Sequence, residues 1–302
     1  MKRIYAIAAL LLAAVMAFAQ SDRYEQRYDL LVSQFGPAGL GIETVLDNWA
    51  KVDSTNVKML VGRFSYYFTK SQSTQVVKKD SRKYLGMDPL ITLKDSTGND
   101  VHYYQVSVYD DELYGEAIKA ADRAIAAHPH RLELRFMKAN AYIAYEQESP
   151  DMALANLTAL VDENSRHRSS WIYEGEDADQ KFFQDSMQEY CYSFYALGTP
   201  GSYEAFRSLS ERLSSAFPDN AGYMCNLGSY QMVVKGDYKA ALKYYNKVLK
   251  SQPDDYTAIK NAILATRKMK NVKLERKYLE MMAKYGPEKD KMLAKARLES
   301  IK

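Results

Sequence analysis

The chain has 302 residues, with 41 Lys and Arg against 38 Asp and Glu, a formal net charge of +3 at pH 7. That near balance excludes the basic surplus on which nucleic-acid binding usually rests. Two cysteines, Cys191 and Cys225, are too few for a disulfide framework, and both fall in apolar helical contexts that suit buried thiols.

The chain opens MKRIYAIAALLLAAVMAFAQ. Lys2 and Arg3 precede an apolar run, and Ala17 and Ala19 place small side chains where a signal peptidase reads them. The pattern is that of a secretory signal peptide over residues 1–19, cut after Ala19. The run is short for a bilayer span, and no cysteine follows the cut to take a lipid. The expected product is exported, periplasmic or secreted, without a transmembrane anchor.

Tyr24, Tyr28, Leu31 and Phe35 share one helical face, which Gly36-Pro37 ends. Residues 42–52 form a partner helix, with Val45, Leu46 and Trp49 inward. Asp53 is the candidate N-cap of a helix from Ser54 to Thr69 with Leu60, Phe64, Tyr67 and Phe68 on its apolar face. Residues 71–109 then interrupt the helical pattern. Gln75 to Leu85 reads as a short helix. Leu90 to Leu93, the turn Asp95 to Asp100 and the β-branched run Val101 to Val108 fit either a β-hairpin or an irregular loop.

Beyond this interruption the helices share a frame. Ala117, Ala121, Ala124 and Pro129 stand at offsets 0, 4, 7 and 12, and so do Ala241, Tyr245, Val248 and Pro253. Phe206, Ser210, Leu213 and Pro218 repeat it, as do Glu275, Leu279, Met282 and Pro287. Ala153, Leu157 and Leu160 keep the face without the proline. Offsets of 4 and 7 lie on one side of a helix, and the proline stops it. Pro218 to Pro253 is 35 residues and Pro253 to Pro287 is 34, so each unit holds two short helices. A second polar interruption, residues 162–178, contains Trp171, Ile172 and Tyr173.

With its NLG, GDY, central Ala, YY and terminal Pro, the segment Tyr223 to Pro253 resembles one unit of the tetratricopeptide-repeat family. Glu116 to Pro129 followed by Phe136 to Tyr142 is similar to the junction of two units. The resemblance implies an all-α fold, a right-handed α-solenoid of antiparallel helix hairpins, filling residues 20–302 as a single domain with two insertions. It also implies a concave groove lined by the first helix of each unit. Carried onto this sequence, that groove takes Phe136, Asn140 and Ile143, then Ser229 and Met232, then Lys260, Leu264 and Arg267. Some members clamp a peptide carboxylate with Lys and Asn; here Asn140 matches but Phe136 stands where the Lys would be. Asp53-Ser54-Thr55 and Asp95-Ser96-Thr97 resemble a short O-glycosylation signal of exported Bacteroidetes proteins.

No phosphate-binding glycine loop, dinucleotide fingerprint, GxSxG elbow or HExxH helix is present. His128-Pro129-His130 lies on a turn between repeats, where Pro129 already has a structural role. The expectation is a non-enzymatic scaffold, without a cofactor or metal, that binds a protein or peptide. The alternative is a carbohydrate-binding envelope protein using the loop aromatics Tyr103, Tyr104, Trp171 and Tyr173; a hydrolase ranks third.

Overall fold

The computed structural model describes residues 20–167 and 170–301. The expected signal peptide, residues 1–19, lies outside them. The described chain is predominantly helical, with small β insertions, and it folds as two compact units.

The first unit holds residues 20–82, 88–145 and 170–178. Helix α1 covers residues 20–35, α2 Ile42–Val52 and α3 Val57–Ser71. The cap of α3 is Asn56, whose side chain accepts from the Met59 N–H at 3.1 Å. The expected cap, Asp53, instead closes α2 through its own N–H to Trp49 O, and its Oδ1 accepts from Thr55. Tyr28, Ile42, Leu46, Trp49 and Met59 form a core here, with the Trp49 indole N–H donating to Ser21 Oγ at 2.7 Å.

Three strands follow: β1 Gln72–Lys79, β2 Ile91–Lys94 and β3 Asp100–Tyr109. They form an antiparallel sheet in the order β1-β3-β2, with Gln72 opposite Tyr109 and Ile91 opposite Tyr103. The hairpin reading holds for β2 and β3. The short helix expected over Gln75 to Leu85 does not form, because Val76 and Val77 sit in a strand pairing with the other edge of β3. Strand β1 continues α3 without a break, and β3 leads through Asp110 into α4, Asp111–Ala127. The Asp110 N–H donates to Ser71 O at 2.8 Å, so the sheet grows from the tip of the α3/α4 hairpin.

Helix α5 spans Leu132–Glu146. Strands β4 Trp171–Tyr173 and β5 Glu176–Ala178 make a two-stranded hairpin in place of the expected irregular insertion. Its turn residues Glu174 (φ 52°) and Gly175 (φ 91°) both have positive φ, the geometry of a tight two-residue hairpin turn. The Ile172 N–H donates to His130 O at 2.9 Å, pinning β4 to the turn before α5.

The second unit holds residues 83–87, 146–167 and 179–301. It contains α6 Asp151–His167, α7 Gln180–Leu197, α8 Pro200–Ala216, α9 Ala221–Val233, α10 Tyr238–Ser251, α11 Tyr256–Lys268, α12 Val272–Tyr285 and α13 Glu288–Ser300. From α7 to α13 each helix packs against the next. Asp179, Asn220, Asp237, Asp255 and Asn271 cap successive helices by accepting backbone N–H bonds; Thr199 and Ser202 form a capping box on α8.

The repeat frame read from the sequence is visible in the burial. At all five registers the residues at offsets 0, 4 and 7 are 0–4% exposed. Glu275, the carboxylate in a small-residue slot, is matched by Arg267 Nε at 2.8 Å and Arg297 Nε at 3.0 Å. Burial alone would raise its pKa; the Arg297 and Arg267 bonds outweigh that and hold it below the usual carboxylate value. The repeat-core tyrosines fill the interior and send their hydroxyls to partners: Tyr223 to Gln184 O at 2.8 Å, Tyr278 to Asn246 Oδ1 at 2.8 Å. Cys191 and Cys225 are buried free thiols.

Candidate functional site

An open cleft of about 500 Å³ lies in the first unit between α3 and α5. Helix α5 supplies one wall through Glu133, Phe136, Met137, Asn140, Ala141 and Ala144. Their spacing of three, one, three, one and three residues keeps them on a single helical face. Helix α3 supplies the facing wall through Phe64 and Phe68, whose rings stack at 5.3 Å and 14°. Tyr173 comes from β4, with its ring 6.2 Å from that of Phe136. The small side chains of Ala141 and Ala144 leave the space that the rings enclose.

The walls are held from behind. Phe68 meets Tyr109 at 5.5 Å, and Tyr114 stacks on Tyr145 at 4.1 Å. The Tyr145 hydroxyl donates to Asp111 Oδ1 at 2.7 Å. Such a supported aromatic layer suits recognition, because little side-chain entropy remains to be lost on binding.

Among the described lining residues, Asn140 and Glu133 carry polar groups beside the Tyr173 hydroxyl. Asn140 is exposed. Glu133 pairs through Oε1 with Arg131 Nε at 2.5 Å, while its Oε2 is buried and accepts no hydrogen bond. Among the nine described residues that line the cleft, Glu133 is the only ionised side chain.

No family model matches the chain, and no curated protein matches it in sequence.

The structure distributes the groove residues unevenly. Phe136 and Asn140 fall in the cleft, while Ile143 is half-buried on the same helix and does not line it. Ser229 and Met232 are occupied in packing: Ser229 Oγ lies 3.4 Å from both the Tyr245 hydroxyl and the Asn261 amide, and Met232 lies against the core. Lys260, Leu264 and Arg267 line a smaller recess of about 180 Å³ in the second unit, closed by α13. Arg267 is committed to Glu275 there, and Lys260 lies 5.5 Å above the Tyr256 ring.

The loop aromatics need correction. Trp171 and Tyr104 are each 1% exposed, so neither offers a face to a ligand. Trp171 is the large apolar anchor of β4, and Tyr104 lies under the loop whose Ser81 carbonyl accepts its hydroxyl at 2.7 Å. Tyr103 is half-buried on β3 opposite Lys78 and Ile91. Tyr173 alone among the four lines the cleft. The turn histidine His128 places Nε2 2.5 Å from Thr55 O. Among the described residues no group of three or more His, Cys, Asp and Glu is arranged to hold a metal, and no helix is long and apolar enough to cross a membrane.

Sequence reasoning missed Glu133, Met137, Phe64, Phe68 and Ala141 as site residues. Extending the Phe136–Asn140 stripe one turn back finds Glu133, and the same face gives Met137 and Ala141. Phe64 and Phe68 carry the pattern of core residues, and only their packing shows that Phe68 borders open space.

Proposed function

We propose that this chain is an exported, non-enzymatic scaffold of the tetratricopeptide-repeat type that binds a protein or peptide segment in the cleft between α3 and α5. The observation that carries the reading is the cleft itself: three phenylalanines and a tyrosine around about 500 Å³, with few polar groups. A mostly apolar concavity with a small number of placed polar groups is the ordinary form of a binding site. On the repeat reading, α3 and α5 stand where the first helices of successive units stand, and repeat families use that surface for ligands. Exposed Asn140, midway along α5, offers both a donor and an acceptor to a peptide backbone.

Residues 20–302, immobilised and panned with a random 12-residue peptide library, should enrich peptides that lose binding on Ala144→Phe. That substitution fills the cleft from its small-residue wall while leaving its rim in place. Enriched peptides indifferent to Ala144→Phe, or no enrichment, would remove the cleft as the binding site. Retention of a glycan instead, abolished by Tyr173→Ala, would favour the carbohydrate reading; the burial of Trp171 and Tyr104 weighs against it.

A further inference from the structure

We infer that the cleft selects a cationic side chain, a lysine or arginine of the bound peptide, with Glu133 as its counter-charge and the rings of Phe136, Tyr173 and Phe68 as its walls. The inference rests on the peptide-binding reading above and sharpens it.

Among the described residues that line the cleft Glu133 is the single charge, and it is negative. Its carboxylate is satisfied on one side only. Oε1 takes the Arg131 Nε–H at 2.5 Å, while Oε2 is buried and has no donor. A buried acceptor without a donor is an unusual arrangement in a folded protein, and a ligand N–H would complete it. The terminal torsion of a glutamate is broad, so the carboxylate can turn about it to meet a ligand cation in exchange for Arg131.

The surroundings favour the same class of ligand. Aromatic faces carry negative potential and attract cations placed within about 6 Å of the ring centre. Phe136 and Tyr173 present tilted rings 6.2 Å apart on the helix that carries Glu133 and on the strand pinned beside its start. The apolar remainder of the cleft accepts the methylene stem of a lysine or arginine, which is buried readily while the charged head finds its partner. An acidic side chain would meet both the carboxylate and the ring faces with the wrong sign. A neutral aliphatic chain would fill the space and leave Oε2 unpaired.

The test uses the peptide that binds most tightly after panning, resynthesised with its cationic residue as lysine, norleucine or glutamate, and titrated against residues 20–302 by fluorescence anisotropy. The expected result is at least tenfold weaker binding of the norleucine peptide and a matching loss for the lysine peptide on Glu133→Gln. Arg131→Gln, which removes the competing cation, should tighten the lysine peptide. A purely structural role for the Arg131–Glu133 pair would weaken binding in both variants. Peptides that lose binding on Ala144→Phe yet treat lysine and norleucine alike would overturn the cation preference and leave the peptide-binding reading standing. Absence of any enriched peptide would overturn both.

Discussion

Gly228 in α9 faces the ring of Tyr245 in α10, and replacing it by alanine tests how tightly the helix pairs are seated. A Cβ built at Gly228 would stand 2.4 Å from Tyr245 Cε1, 2.8 Å from Cζ and 2.9 Å from Cδ1. Real Cβ atoms do not come that close to a neighbour, so the ring or a helix must move. The ring has no room: Tyr245 is fully buried among Cys225, Ala241 and Leu242. Overpacking of this kind costs about 1–3 kcal/mol. Against it stands the helix propensity that alanine gains over glycine, about 1 kcal/mol. The net expectation is a loss of about 1 kcal/mol. Gly115 in α4 is the control, because nothing lies within 4 Å of its Cβ position. Gly115→Ala should therefore stabilise by roughly 0.5–1 kcal/mol. Thermal melts followed by circular dichroism should move in opposite directions, by a few degrees each; about 1 kcal/mol corresponds to roughly 2–4 °C in a body of 150–250 residues. If Gly228→Ala raised the midpoint as Gly115→Ala does, the α9/α10 seam would not be close-packed and the repeat geometry would be mistaken.

Two further results are expected. The Glu275 carboxylate has a pKa below its unfolded value, so its pairing with Arg267 and Arg297 stabilises the fold above the unfolded carboxylate range, and the contribution disappears as pH falls through the folded pKa. Glu275→Gln should lower stability at neutral pH and flatten the acid limb of a stability profile from pH 7 to pH 3; an unchanged limb would mean the pair contributes nothing. Burial pushes the Cys191 and Cys225 thiols up to about 12, so neither should react with Ellman's reagent at pH 8 in the folded protein, while both react in denaturant. Rapid labelling of either folded thiol would contradict its placement in the core.

The repeat frame is legible because it is written in spacing. Ala117, Phe206 and Ala241 share offsets that place them on buried helical faces, and proline marks each end. Even the acidic Glu275 obeys the frame; what the frame does not show is the pair of arginines that makes the slot tolerable, since Arg267 and Arg297 come from neighbouring helices. The insertions are less legible. Val76 and Val77 sit in a run with Lys78 and Lys79 that reads equally as helix, and only pairing with β3 decides for strand. Asp53 and Asn56 are both competent caps, and the choice depends on where α2 ends.

The site divides in the same way. Phe136 and Asn140 follow from the face of one helix. Phe68 and Tyr173 reach the cleft from elements far along the chain, so no local pattern joins them to α5. Trp171 resembles an exposed loop aromatic because its neighbours are polar, yet it is buried at the start of the strand that carries Tyr173. Ser229 and Met232 have the helix position of groove residues, but contacts from α10 and α11 occupy them.

The central claim, that a ligand lies between α3 and α5, is tested most directly by photocrosslinking. Phe136→benzoylphenylalanine places a reactive ketone in the cleft, and Ser229→benzoylphenylalanine places one at a half-buried groove position in contact with α10 and α11. Illumination with a bound library peptide should give a crosslinked product at position 136 and none at position 229. Crosslinking at 229 with none at 136 would contradict the account.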